Sequence, residues 1–344
     1  VVAKPFGINN YIDWGINMAS AQEQQSFAPD FQANKPQALW WNGEIVPWNQ
    51  ATVHVADMAW AGVTAVFEGI MSYWNEEQGE LYIWQLDAHL RRLLQSQRLI
   101  RQQSPYSVEQ LKSAAIALAK EIGATRDSYI FPYSFPKGGG GFDSSTKPEP
   151  EPVDMFITVR PNPSHLGKGW AQTACVSSFT RISDNVMPPR IKNIANYRNS
   201  NLAMAESKLN GYDTALIMNT QGKVAEGPGS CVVLVRDGKL VTPATTDSIL
   251  ESISRYSVLE LAKRELGLEV IERPVDRTEL YLADEIFMVG TAAEILAIRK
   301  VDSYVVGDGA IGPITSKLDS IFEEVVRGKR PEYAEWLTPV GFAK

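Results

Sequence analysis

The chain has 344 residues, 44% of them hydrophobic and 21% charged, which places it among globular proteins and excludes collagen-like and wholly disordered readings. A net charge of −7, from 40 acidic and 33 basic residues, offers no global attraction to nucleic acid or to an anionic membrane. Two cysteines (Cys175, Cys231) are too few for a disulfide framework, three scattered histidines (His54, His89, His165) form no metal-ligand pattern, and no stretch has the length of a membrane helix or the core of a signal peptide. A cytoplasmic protein of two domains, without a metal site, is the expectation.

Residues 1–38 show no sustained period and read as an irregular arm. The core opens where Leu39–Trp41 and Ile45-Val46 flank Asn42-Gly43, the strongest short-range hairpin signal. Strands are expected over Thr64–Ile70 and Leu81–Trp84. Asp87 then caps a helix over Ala88–Arg98, with Leu90, Leu93 and Leu94 on one face. Ser107 opens a second helix to about Ile122, and Ser128–Tyr133 reads as a strand. The glycine run Gly138–Gly141 and the alternation Lys147–Pro152 fit neither helix nor central strand, so this stretch is a surface loop or a flap over a site. A strand over Met155–Val159 stops at Pro161-Asn162-Pro163.

The second half offers a strand at Ala174–Val176 and a helix from about Tyr197 to Leu209, closed by Gly211. Strands Thr214–Met218 and Cys231–Arg236 follow, with a hairpin turn at Asp237-Gly238. A helix over Ser254–Arg264, strands at Val270-Ile271, Glu285–Val289 and Ile295–Ile298, and a helix over Ile314–Val326 complete the pattern. Irregular mixing of strands and helices, with no internal repeat, argues for α+β over a doubly wound sheet. The expected organisation is an arm (1–38), a small domain (39–158), a linker (159–168) and a large domain (169–344).

Five ordered strings carry a likeness: Val66-Phe67-Glu68-Gly69-Ile70, Lys192-Asn193-Ile194-Ala195-Asn196-Tyr197, Ala225-Glu226-Gly227-Pro228-Gly229, Tyr281-Leu282-Ala283-Asp284-Glu285 and Gly290-Thr291-Ala292-Ala293-Glu294. With Gly312–Thr315 and Trp336–Thr338, the chain from about 39 to 340 resembles the fold-type IV pyridoxal-phosphate aminotransferases, and within them the branched-chain amino acid aminotransferases. The resemblance implies a D-amino acid aminotransferase-like fold, with a smaller N-terminal α/β domain and a larger C-terminal domain built on a pseudo-barrel of strands. It implies pyridoxal 5'-phosphate as cofactor, an amino donor with a 2-oxo acid acceptor, and a homodimer or larger assembly.

Taken alone, Lys192 would be a solvated surface charge, but Ile191, Ile194 and Ala195 around it are apolar. The resemblance makes it the catalytic lysine, forming a Schiff base with the cofactor and then shuttling a proton. It places Glu226 at the pyridine nitrogen and Tyr197 at the phenolic oxygen. The phosphate falls to Arg92, with Arg91 as the competing arginine, to Ile253 and Ser254 at a helix start, and to Thr291. Ser252 stands where the family usually has glycine.

For the substrate, the resemblance implies that Tyr129 and the backbone at Thr291-Ala292 meet the α-carboxylate and that Phe67 shapes the side-chain pocket. Phe131 occupies the position of an arginine that receives glutamate's side chain in bacterial members. Met71 replaces a common basic residue, and Gly62 aligns with a tyrosine near the pocket. These departures favour apolar donors, with Lys137 left as a possible replacement cation. An amine transaminase and a lyase of the aminodeoxychorismate type remain alternatives on the same fold, and an inert homologue serving as a binding protein is the alternative of another class.

Overall fold

A computed structural model describes residues 35–139 and 146–343. The arm before residue 35 and the glycines Gly140 and Gly141 lie outside the described residues. The chain forms two mixed layers. In the first, strands β1 (Ala38–Trp41), β2 (Glu44–Pro47), β3 (Val66–Phe67), β4 (Ile70–Asn75), β5 (Glu80–Trp84), β6 (Gln102–Gln103), β7 (Ser128–Pro136) and β8 (Glu151–Pro161) make a sheet. Its order is β5-β4-β7-β8-β1-β2, with β3 beside β7 and β6 beside β8. Helices α1 (Leu86–Leu99) and α2 (Val108–Glu121) cover it, burying Leu90, Leu93, Leu111 and Leu118 against Ile83, Ile130 and Ile157.

The hairpin expected at Asn42-Gly43 is present, with both residues at positive φ. Ser107 caps α2 through a reciprocal capping box with Gln110. Asp87 is not a cap. Helix α1 starts earlier, at Leu86, behind Gln85 in the left-handed region, and the Asp87 carboxylate instead takes the Lys112 ammonium of α2 at 2.7 Å. The strand expected over Thr64–Ile70 breaks into β3 and β4 at Glu68-Gly69, because the Glu68 side chain turns inward to a buried ion network. Strand β8 begins at Glu151, so Pro152 lies within a strand; it is the second residue, before the pairing with β7 starts at Val153, where a missing N–H is tolerated.

In the second layer, β9 (Ala171–Thr180), β10 (Thr214–Met218), β11 (Val224–Glu226), β12 (Cys231–Arg236), β15 (Glu285–Gly290) and β16 (Glu294–Val301) close on themselves, because β11 pairs with both β10 and β12. The result is a six-stranded barrel, extended beyond β12 by β13 (Lys239–Thr242) and β14 (Val270–Glu272) and edged by β17 (Tyr304–Val305). Alternation along β12 explains why it is apolar throughout. Val232 and Leu234 fill one buried cluster, whereas Cys231, Val233 and Val235 face helices α4 (Ile253–Leu266) and α5 (Pro313–Val326) on the other side. Helix α3 (Ile194–Leu209) packs on β9 and β10. Asp237-Gly238 joins β12 to β13 with both residues at positive φ, as a two-residue hairpin requires.

The last strand, β18 (Leu337–Pro339), leaves the second layer and pairs with β5 of the first. The chain that runs through the second layer from β9 onward thus ends on the first sheet. One core cluster joins Met71, Tyr73 and Trp84 of the first sheet to Phe287, Leu318, Phe322 and Trp336, so the layers share a continuous apolar seam. Among the described residues no helix is long and apolar enough to cross a membrane.

Candidate active site

The site lies where α1, β3, the start of α3, β11 and the start of α4 converge. Lys192 ends the segment leading into α3, and backbone bonds fix it on both sides. Its N–H donates to Ser96 Oγ at 3.1 Å, and its carbonyl accepts from Phe67 N–H at 3.1 Å. Buried Asn196 donates its amide to the carbonyls of Pro188 and Ile191, tying down the approach to the lysine. Asn193 caps α3 by accepting from Ala195 N–H at 2.7 Å. The lysine Nζ donates to the Tyr197 hydroxyl at 2.7 Å and lies 4.8 Å from the Phe67 ring centroid. One turn of helix therefore brings together the two residues read from the Lys192–Tyr197 spacing.

Glu226, at the end of β11, is buried. Its Oε1 accepts from the Arg181 guanidinium at 2.8 Å, and its Oε2 accepts from Leu250 N–H at 3.1 Å. Arg181 escaped the sequence reading. Its only signal was a lone arginine, and its role appears when the barrel brings β9 beside β10 and so opposite Glu226. Cys231 lies beside the same carboxylate, and burial followed by the Glu226 charge pushes its thiol up to about 12.

Arg91 is exposed and Arg92 is buried. The Arg92 guanidinium grips Glu68 through Nε–Oε1 and Nη2–Oε2, both 2.7 Å, and its third nitrogen reaches the Glu251 carbonyl just before α4. His89 Nδ1 lies 2.8 Å from Glu68 Oε2. Burial alone would raise the Glu68 carboxyl, but Arg92 and His89 outweigh it and hold it at about 2. Burial pushes the His89 ring down, matching a neutral imidazole that donates from Nδ1 while Nε2 has no partner among the described residues. In the sequence Glu68 stood inside one of the quoted strings and His89 was a lone histidine, neither with a role of its own; their partnership needs β3 packed on α1.

Arg92, Lys192, Tyr197, Glu226, Ile253 and Thr291 line one cavity, with Ser252 at its edge. Ser254 does not; it is buried in the first turn of α4, while Ser252 caps that helix by accepting from Arg255 N–H. Thr291 opens the β15–β16 turn, which ends at Glu294 with a φ of +47°. Glycine at 290 permits this approach, since a β-carbon there would stand 3.0 Å from the Gly229 carbonyl.

Beyond the lysine runs an aromatic wall. The Phe67 ring is 5.1 Å from Tyr197 and 5.4 Å from Phe131, and Phe131 continues to Tyr133 and Phe156. Tyr129 reaches over Gly69, where any side chain would collide with its hydroxyl. Ala292 is half-buried beside Thr291. Two expected pocket residues lie elsewhere. Met71 is buried in the seam between layers, its sulfur against the Asn162 amide, because β4 turns it to the core. Gly62 is exposed at the end of the helical turn Met58–Ala61. Lys137 is exposed at the end of β7. Arg160, opposite Tyr129 on β8, lies over the Trp48 ring at 5.2 Å and borders a second cavity of about 220 Å³ that Phe131, Phe135 and Phe156 line.

A two-layer molecule with a barrel, a lysine–tyrosine pair and a buried carboxylate facing it defines a class of group-transfer enzyme, and the sequence matches the family Amino-transferase class IV over residues 65–301. The chain belongs to that family. A probable branched-chain-amino-acid aminotransferase of Aquifex aeolicus is 38% identical over 92% of this chain and 98% of its own length. The branched-chain amino acid aminotransferase of Thermobaculum terrenum, solved in its PLP-form, is 52% identical, superposes with a TM-score of 0.86, and is matched over 99% of its length by 89% of this chain. A branched-chain aminotransferase of the archaeon Thermoproteus uzoniensis, solved with norvaline, is 37% identical over 89% of this chain and 99% of its own, with a TM-score of 0.82.

Proposed function

We propose that this aminotransferase uses pyridoxal 5'-phosphate to move an amino group from an apolar amino acid of branched-chain type to a 2-oxo acid. The cavity fits that cofactor in its donor set. A lysine amine stands beside a tyrosine hydroxyl, a buried carboxylate lies across from them, and an arginine joins a helix start where a phosphate is favoured. When bound, pyridoxal phosphate supplies the electron sink that makes the substrate α-hydrogen acidic.

Lys192 would carry the cofactor through Nζ and move a proton at the α-carbon, a step typically worth about 10²–10⁴ in rate. Tyr197 orients the lysine and would meet the phenolic oxygen. Glu226, held in place by Arg181, would keep the ring nitrogen protonated. Arg92, Ile253 and Thr291 would hold the phosphate, with Glu68 fixing the guanidinium. Tyr129 and the backbone at Thr291-Ala292 would take the α-carboxylate, which favours amino acids over amines lacking that group.

The observation that carries the substrate reading is the aromatic wall of Phe67 and Phe131 beside the Lys192 amine. An apolar side chain placed there gains about 25 cal/mol for each Å² removed from water. A side-chain carboxylate against the same rings loses hydration with no cation at position 131 to offset it. The test is kcat/KM for leucine against L-glutamate with one shared 2-oxo acid acceptor. Leucine is expected to be the better donor by about tenfold or more; equal or better efficiency with glutamate overturns the reading.

The proposal includes a homodimer in the cytoplasm. Val53, Val55, Met58 and Val63 are exposed within one short segment next to β3, an apolar surface that a second copy would cover. Both cysteines are free and buried, in keeping with a reducing compartment.

A further inference from the structure

The segment between β8 and β9 carries a histidine that the chemistry above leaves unused. His165 Nδ1 lies 2.9 Å from Glu294 Oε2, and its Nε2 lies 2.8 Å from the Ala293 carbonyl. Its backbone N–H also donates to Glu294 Oε2, at 2.9 Å. The ring stands edge-on against Trp170, with centroids 4.0 Å apart. Each ring nitrogen therefore faces an oxygen of the same turn, the Glu294 carboxylate on one side and the Ala293 carbonyl on the other. The two acceptors belong to the far end of the turn whose first residue, Thr291, lines the catalytic cavity.

That turn needs an external tie. Glu294 pairs with Gly290 across the hairpin and adopts a φ of +47°, a position that favours glycine. Its carboxylate is buried, and the His165 backbone and ring both hold its Oε2.

We propose that His165 is a positioning residue that clamps the Thr291–Glu294 turn so that its backbone can receive the substrate α-carboxylate. The inference rests on the α-carboxylate reading of Tyr129 and Thr291-Ala292 given above. The clamp acts through the protein alone: two hydrogen bonds set the turn, and the turn sets the N–H groups that meet the anion.

Other titratable groups surround the clamp. Tyr73 of β4 faces Glu294, and Asp319 and Glu323 of α5 face the segment on its other side. Asp319 accepts from Gly167 N–H, and burial raises its carboxyl to about 6. Lys168 folds back onto the Ser164 carbonyl, and Asp127, just before β7 and paired with Arg327, meets Ser164 N–H.

The experiment uses the cofactor-loaded enzyme and two readouts, donor kinetics and the Kd of 4-methylvalerate, an apolar carboxylate without an amino group, by calorimetry. His165→Phe keeps a ring against Trp170 and removes the ring nitrogens that meet the turn. It is expected to raise donor KM and the 4-methylvalerate Kd about tenfold and to leave kcat within about threefold. If His165→Phe does not fold, His165→Gln, which offers one donor, is expected to show an intermediate effect. An unchanged Kd in His165→Phe overturns the clamp. Tyr129→Phe separates the two layers of the inference. If it weakens 4-methylvalerate binding while His165→Phe does not, only the clamp fails; if neither variant alters the Kd, the α-carboxylate reading fails with it.

Discussion

Glu226 and Arg181 are each almost wholly buried, and the pair is joined at 2.8 Å. Glu226→Gln should slow the half-reaction with an amino acid by about 10² or more, because a fixed charge at the reacting system is removed. Cofactor affinity should fall by no more than about tenfold, since the lysine and the phosphate donors remain. Stopped-flow half-transamination set beside equilibrium cofactor titration checks this, and a parental half-reaction rate would rule the role out. A second expectation concerns acid. Glu68 has a folded pKa of about 2 against an ordinary 4.5. Its contribution to stability is therefore complete above the ordinary value and is lost as the pH falls toward 2. Unfolding free energy followed from pH 5 to pH 2 should decline in the parent and decline less steeply in Glu68→Gln, whose stability at neutral pH starts lower. Identical acid slopes would remove Glu68 from the account.

At the level of elements, the first sheet and helix α5 are held by a clasp. Arg327, just past α5, makes two bonds to Asp127, at 2.9 and 3.0 Å, and a third to the Trp74 carbonyl. Asn75 returns a bond from β4 to the Arg327 carbonyl at 2.7 Å. The largest influence on the Arg327 charge is its bonding to Asp127, which raises its pKa. The pair is only partly buried, so solvent screening reduces its worth below that of a fully dry pair. Arg327→Met should cost about 2 kcal/mol in denaturant unfolding. Because the clasp lies away from the cavity, kcat should stay within about twofold at 25 °C. A stability loss below about 0.5 kcal/mol would show that the clasp adds nothing to the seam between the layers.

At the scale of the whole molecule, the apolar residues Val53, Val55, Met58 and Val63 are each exposed. Burying them between copies removes apolar area from water without any change of fold. Light scattering should give a dimer or larger assembly for the parent, and Val55→Asp with Met58→Asp should shift it toward monomer. A stable, active monomer in the parent would exclude the assembly. The seam shared by both layers adds a related constraint. The chain ends by returning β18 to the first sheet, so the two layers are joined twice, through 162–170 and through Leu337–Pro339.

The sequence alone determined what depends on local pattern. Strands β10 and β12, helix α2 with its Ser107 cap, and the hairpin at Asp237-Gly238 were legible because period, capping and turn chemistry act over a few residues. The Lys192–Tyr197 pair was picked out by the family resemblance, and five residues are little more than one turn, so the contact forms at the start of α3. Tertiary structure decided what depends on distant segments meeting. It set Arg181 against Glu226, folded Glu68 and His89 onto Arg92, and turned Met71 into the core and Gly62 to the surface. It also sent β18 back across the molecule. A carboxylate or a histidine carries no sign in sequence of which partner it will find; that follows from which strands become neighbours when both faces of a barrel are buried.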